Sequence, residues 1–257
     1  MKWPIPGGSA KSLAERRGYW ESIHGDEGYE NVISLTDDPA VCERIERALE
    51  ESRAKRILVP GCGSRTGLQE WLVGRLPQIE ALVCTDFPAV VALGRERFSH
   101  PSVEFQAADS GDLPWREAFD AAVVVNSILS ESDRENRRVL SAIRRALRPD
   151  GVLVGFFPTV FATLDIATIS HDPRRHADLD LERSMKYEPA QEAFQIFYTP
   201  LRLRLILREA GFDVSSMEIY FLDSDHIRSQ PGEWNDFSVE DEDLVIYELY
   251  VVARAKS

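Results

Sequence analysis

Gly61, Cys62 and Gly63 follow directly on the apolar run Ile57-Leu-Val-Pro60, and Asp86 closes the next such run, Leu82-Val-Cys-Thr-Asp86. A glycine turn lets the backbone approach a ligand closely, because no Cβ stands in the way. A carboxylate at the neighbouring strand end can accept hydrogen bonds from both hydroxyls of a ribose. Together they describe a pocket for a nucleoside-containing cofactor at the carboxyl edge of a parallel sheet. A nicotinamide dinucleotide site calls for G-x-G-x-x-G. Here the third glycine is Gly67, one place late.

These residues need a scaffold, and the hydrophobic pattern supplies one. Strands are expected at 56–60, 81–85, 103–107, 121–125 and 152–156. Helices are expected between them, including 88–98 and 133–147. Strands alternating with helices imply a parallel sheet covered on both faces. Ahead of the first strand, Asp38-Pro39 starts a helix whose Val41, Ile45 and Leu49 share one face, with Pro at the first helical position. Residues 10–24 form a further polar helix. In the 133–147 helix, Val139, Leu140, Ile143 and Leu147 point inward and the arginines face water.

The pattern changes after the fifth strand. Residues 158–170 read as helical, 171–189 as a long polar loop placed to act as a lid, and 193–198 as extended. A helix from Thr199-Pro200 then carries apolar Leu201, Leu205 and Ile206, with Gly211 as the residue just past its end. Two strands, 212–222 and 244–254, close the chain, the second antiparallel. The domain division expected is an N-terminal helical cover, 1–52, and a cofactor-binding domain, 53–257, with an insert at about 158–198.

At this point the chain resembles the class I S-adenosylmethionine-dependent methyltransferases. Gly61-Cys-Gly63 is similar to their first motif and Asp86 to their ribose-binding acid. Ala107-Ala-Asp109-Ser110 resembles the end of their third strand, where an acid meets the adenine amino group. Phe119-Asp-Ala-Ala-Val-Val-Val-Asn126 resembles the fourth strand, and Leu147-Arg-Pro-Asp-Gly151 the turn before the fifth. The resemblance runs from about 53 to 256. Two positions depart from it: Val59 stands where many members carry an acid, and Arg65 where a glycine is common.

The resemblance implies an α/β fold, a Rossmann-like doubly wound seven-stranded sheet, mostly parallel with an antiparallel C-terminal strand. It implies S-adenosylmethionine as cofactor and S-adenosylhomocysteine as product, bound by Gly61, Cys62, Gly63, Asp86, Phe87, Asp109, Ser110 and Asn126. The Asn-Pro-Pro-Tyr signature of amide and nucleic-acid base methylation is absent, since Ser127-Ile-Leu follows Asn126. For Asp86 and Asp109 the alternative is a helix cap or a surface carboxylate.

The expected activity is methyl transfer to oxygen, nitrogen or sulfur of a small molecule. His171 is the first candidate base, because the segment after the fifth strand borders the acceptor pocket in related folds. His24 is the second, and His176 and Tyr198 are further candidates. Each has a plainer reading, since an exposed histidine in a polar loop usually does no chemistry. Tyr19, Trp20 and Tyr198 are the candidate acceptor contacts; Tyr19 and Trp20 could equally staple the N-terminal helix to the core. Two other functions stay open: a nicotinamide-dependent oxidoreductase, disfavoured by the glycine spacing and the closing strands, and a cofactor-binding protein without methyl transfer.

Charge narrows the partners. The 257 residues carry a net charge of -13, which opposes nucleic acid and anionic membrane surfaces alike. The three cysteines, Cys42, Cys62 and Cys84, have no metal-ligand spacing and read as reduced thiols of a cytoplasmic protein. No apolar signal core opens the chain, and no run approaches the ~20 apolar residues that span a bilayer. Oligomeric state is not legible.

Overall fold

The computed structural model describes residues 35–169, 174–188, 193–223 and 246–256, with the isolated positions Gly18 and Ser22. Tyr19, Trp20, His24 and His171 lie outside the described residues, as does the rest of the expected 10–24 helix apart from Gly18 and Ser22.

A single 3-10 turn, Leu35–Asp37, leads into helix α1, Pro39–Glu51. Asp38 caps α1, its Oδ1 accepting the Ala40 N–H at 2.8 Å, and Pro39 needs no partner at the first helical position. Val41, Ile45 and Leu49 are fully buried, as their spacing predicts. Then come β1 (Arg56–Pro60), α2 (Gly67–Arg75), β2 (Ala81–Asp86), α3 (Pro88–Arg97), β3 (Val103–Ala107), β4 (Phe119–Val125), α4 (Asp133–Ala146) and β5 (Leu147–Pro158). The remainder is α5 (Val160–Ile169), α6 (Arg174–Ala177), β6 (Leu179–Asp180), β7 (Met185–Glu188), β8 (Ala193–Ile196), α7 (Pro200–Glu209), β9 (Phe212–Phe221) and β10 (Tyr247–Ala255).

The main sheet has seven strands in the order β3-β2-β1-β4-β5-β10-β9. Only β10 runs against its neighbours, pairing antiparallel with both β5 and β9. The fold is therefore the doubly wound sheet that the resemblance implies. Strand order reverses between β1 and β4, and ligands of such sheets bind in the crevice beyond the strand ends at that point. Apolar residues cover both faces: Ile57, Leu82, Val123 and Phe156 join α1 and α2 on one side, and Leu58, Val124, Leu140 and Leu203 pack on the other.

One expectation needs correcting. The 171–189 segment is not plain loop. Its described part holds α6, β6 and β7, and β6-β7-β8 form a small antiparallel sheet. β6 and β7 are short and half-buried throughout, so they lack the alternation that reveals a strand. In α7, Leu203, Ile206 and Leu207 face the core, while Leu201 and Leu205 are exposed. In α4, Arg134, Arg137 and Arg145 are exposed as expected, and two of the arginines also form ion pairs: Arg138 with Asp109 and Glu135, and Arg137 with Glu209.

Candidate cofactor and acceptor site

The turn after β1 is built by backbone geometry. Gly61 and Gly63 have φ of +65° and +67°, a region closed to most side chains. The N–H groups of Gly61 and Cys62 both donate to the Thr85 carbonyl of β2, at 2.7 and 3.1 Å. A Cβ on Gly61 would stand 2.6 Å from Cβ of Ser127, so the loop after β4 presses directly on the turn. The Cys62 side chain is buried, its Sγ donating to the Gly63 carbonyl at 3.4 Å; its hydrogen bond with Cys84, then burial, push the thiol's pKa up.

Arg65, the residue that replaces a common glycine, is drawn aside by Asp37, with Nη1 to Oδ2 at 2.8 Å. Asp37 also crowds Gly67, where a Cβ would lie 2.3 Å from its Oδ1. The 3-10 turn before α1 therefore buttresses the glycine turn from behind. Arg97 at the end of α3 adds a second tether, donating to the Ser64 carbonyl at 3.2 Å.

Asp86 ends β2 facing this turn. Its Oδ2 accepts the Gly63 N–H at 2.9 Å and its Oδ1 the Phe87 N–H at 2.7 Å. Burial raises its pKa, and the two backbone donors work against that rise. Each oxygen keeps a lone pair for a further donor. Phe87 is half-buried next to it, at the N-cap of α3.

Asp109 stands in the turn after β3, where its Oδ1 accepts the Gly111 N–H at 2.8 Å. Arg138 of α4 forks onto both of its oxygens, at 3.2 and 3.4 Å. Ser110 is half-buried in the same turn. Asn126 directly follows β4 with φ of +50°, a value that asparagine tolerates better than most residues. Its N–H donates to the Phe156 carbonyl of β5 at 3.1 Å.

Tyr198 is wholly buried, and its hydroxyl donates to the Ile128 carbonyl at 2.8 Å. Burial raises its pKa far above the usual phenol range. From that position it braces the loop after β4. His176 lies in α6, whose neighbours include α5 and β6.

One functional-site candidate escaped the sequence reading. Glu248, second residue of β10, is only 7% exposed, and the Asn126 amide donates to its Oε1 at 2.7 Å. Burial raises its pKa to about 7, with the Asn126 hydrogen bond opposing the rise. The available signal was a lone acid inside the apolar run 244–253.

The arrangement suits S-adenosylmethionine. The glycine turn admits close backbone approach, Asp86 retains acceptor capacity for two ribose hydroxyls, and buried polar atoms wait at the β4 tip. Comparison with known proteins agrees. Residues 57–151 match the family model described as methyltransferase domain. No curated protein matches the sequence. Among solved structures, the chain is similar to the 1,6-didemethyltoxoflavin-N1-methyltransferase of Burkholderia thailandensis, at 16% identity and TM-score 0.62, over 97% of this chain and 92% of that one. It is also similar to the N-methyltransferase NodS of Bradyrhizobium japonicum WM9 in complex with S-adenosylhomocysteine, at 17% identity and TM-score 0.56, over 95% and 100%. A third likeness is to an S-adenosylmethionine-dependent methyltransferase of Mesorhizobium loti, at 18% identity and TM-score 0.55, over 81% and 96%. At these identities the solved structures speak for the fold alone, and the domain match is confined to residues 57–151.

Proposed function

We propose that this chain, a class I S-adenosylmethionine-dependent methyltransferase, methylates a small-molecule acceptor, and that Gly61, Cys62, Gly63, Asp86, Phe87, Asp109, Ser110 and Asn126 hold the cofactor. The observation that carries the assignment is the Asp86 carboxylate at the end of β2, fixed by the glycine turn's own N–H. The cofactor supplies an activated methyl group on a sulfonium. The protein's share is to hold the acceptor in line, and orientation of this kind can be worth roughly 7–11 kcal/mol of barrier.

In this reading, Gly61 and Gly63 present backbone rather than side chain to the methionine part. Asp86 receives the ribose hydroxyls. Phe87 and the Asp109-Ser110 turn border the adenine, with Arg138 setting the Asp109 carboxylate. The 1–52 segment and the 158–198 insert are the proposed covers of the acceptor pocket, with Tyr19 and Trp20 as acceptor contacts and His171, then His24, as candidate bases. Among the described residues no helix is long and apolar enough to cross a membrane.

The relatives named above support a small acceptor by analogy, one being bound to 1,6-didemethyltoxoflavin. The experiment is calorimetric titration with S-adenosylhomocysteine, followed by mass spectrometry of small-molecule, protein and nucleic-acid acceptors incubated with S-adenosylmethionine. Product on protein or nucleic acid alone would overturn the small-molecule reading. Lack of S-adenosylhomocysteine binding would overturn the site.

A further inference from the structure

Three buried polar atoms without a hydrogen-bond partner among the described residues belong to one neighbourhood: Asn126 Oδ1, Ser127 Oγ and Glu248 Oε2. Asn126 and Ser127 are consecutive, and Asn126 binds Glu248 directly. Since the Asn126 amide nitrogen meets Glu248 Oε1, the two unpartnered oxygens flank that bond. Leaving a buried polar group unsatisfied costs about 1–3 kcal/mol, so such a concentration calls for a ligand.

Its location is specific. Asn126 directly follows β4, and Glu248 pairs with Pro158, the last residue of β5. Ser127 presses on Gly61. The cluster therefore sits at the carboxyl edge of the sheet, against the glycine turn and beside the crevice.

Its chemistry is also specific. An amide oxygen is an acceptor only, and an ionised carboxylate oxygen likewise. A ligand that satisfies both must bring two hydrogen-bond donors on one small group. A primary amine or a protonated secondary amine has two N–H bonds; a hydroxyl has one. The charge of -13 also favours a cationic ligand.

We infer that the free side-chain oxygens of Asn126 and Glu248, on the acceptor side of the cofactor that Asn126 borders, form the floor of the acceptor site and receive the nitrogen of a small primary or secondary amine, and that Glu248 takes a proton from that nitrogen before it is methylated. The inference rests on the methyltransferase reading of the site. In the step, Glu248 first takes one proton from the bound ammonium form, which frees the nitrogen lone pair to form the new N–C bond. The S–CH3 bond then breaks, leaving its electron pair on sulfur. A carboxylate poised near neutrality suits this task better than an ordinary one, because base efficiency peaks when the pKa lies near the working pH. Burial and the opposing Asn126 hydrogen bond set the Glu248 pKa, and the charged and titratable groups of the neighbouring elements are these. Asp38 caps α1, and Arg44 of α1 pairs with Glu218 of β9. Asp165 of α5 accepts the Tyr247 hydroxyl, and Tyr220 is the cross-strand partner of Glu248 on β9.

The test compares wild type with Glu248→Gln, which keeps the shape and the oxygen that Asn126 binds. Calorimetry with S-adenosylhomocysteine is run beside methyl transfer to a panel of small primary and secondary amines, matched alcohols and thiols. Wild type is expected to methylate amines. Glu248→Gln is expected to bind S-adenosylhomocysteine within twofold of wild type and to lose at least a hundredfold in kcat. Wild-type kcat should also rise through pH 7, a readout that does not depend on the variant folding. Three results would overturn the inference: a variant with wild-type kcat, methylation confined to alcohols or thiols or absent across the panel, and a flat pH profile. A tenfold loss of S-adenosylhomocysteine affinity in the variant would do so too, by assigning the cluster to the cofactor's own ammonium group. Wild type that fails to bind S-adenosylhomocysteine would instead refute the underlying function.

Discussion

The backbone N–H of Gly63 donates to Oδ2 of Asp86 at 2.9 Å, tying the turn after β1 to the tip of β2. One carboxylate thus both shapes the glycine turn and faces the crevice. Asp86→Ala should remove both functions. Charge-assisted hydrogen bonds are worth about 1.5–3 kcal/mol, so S-adenosylhomocysteine affinity should fall roughly tenfold to a hundredfold. Isothermal calorimetry measures this, and unchanged affinity would remove Asp86 from the site.

Gly61→Ala should be more damaging than its single methyl group suggests. The new Cβ would face Ser127 Cβ at 2.6 Å while the backbone is held at φ +65°. Left-handed strain and overpacking each cost on the order of 1–3 kcal/mol. We expect a lower Tm by thermal denaturation together with loss of S-adenosylhomocysteine binding. A variant with wild-type Tm and affinity would show that the Ser127 loop yields easily.

Glu248 should leave a signature in stability against pH. Burial pushes its pKa up to about 7 in the folded protein, from an ordinary carboxylate value of 4.5. Between these values the unfolded chain has released a proton that the folded protein keeps, so stability falls as pH rises from 4.5 to 7. A shift of this size corresponds to about 3 kcal/mol. Glu248→Gln should flatten that part of the profile and be the more stable protein at pH 8. Chemical denaturation of both proteins at pH 5 and pH 8 decides it; parallel profiles would mean that Glu248 titrates normally.

Arg138 offers a separable test of the adenine end. It forks onto Asp109 from a partly exposed position, and exposed pairs contribute little, about 0–1 kcal/mol. Arg138→Ala should therefore leave Tm nearly unchanged while altering S-adenosylhomocysteine affinity severalfold, through a freed Asp109 carboxylate. If affinity stays constant in both Arg138→Ala and Asp109→Asn, the Asp109 turn is not part of the cofactor site.

His171→Ala and His24→Ala test the candidate bases on the proposed covers. If His171 removes the acceptor proton, its variant should lose at least tenfold in turnover while keeping cofactor affinity. Wild-type turnover in both variants, measured with an identified acceptor, would leave proximity and Glu248 to account for the rate.

Local sequence was enough to place the first five strands, the closing antiparallel strand, the glycine turn and Asp86. Each of these is written in short-range terms: apolar runs bounded by turn residues, glycines required by positive φ, and an acid at a strand end. The pattern could not show what lies across the sheet. Asn126 and Glu248 are 122 positions apart and meet only because β10 inserts antiparallel beside β5. The Arg138–Asp109 pair likewise exists because α4 packs its basic face over the β3 turn, where the sequence pattern alone reads as a solvated helix. The strands β6 and β7 escaped because half-buried segments carry no alternation. Periodicity records burial along one element; partners from different elements are chosen by strand order and packing, which no short stretch of chain encodes.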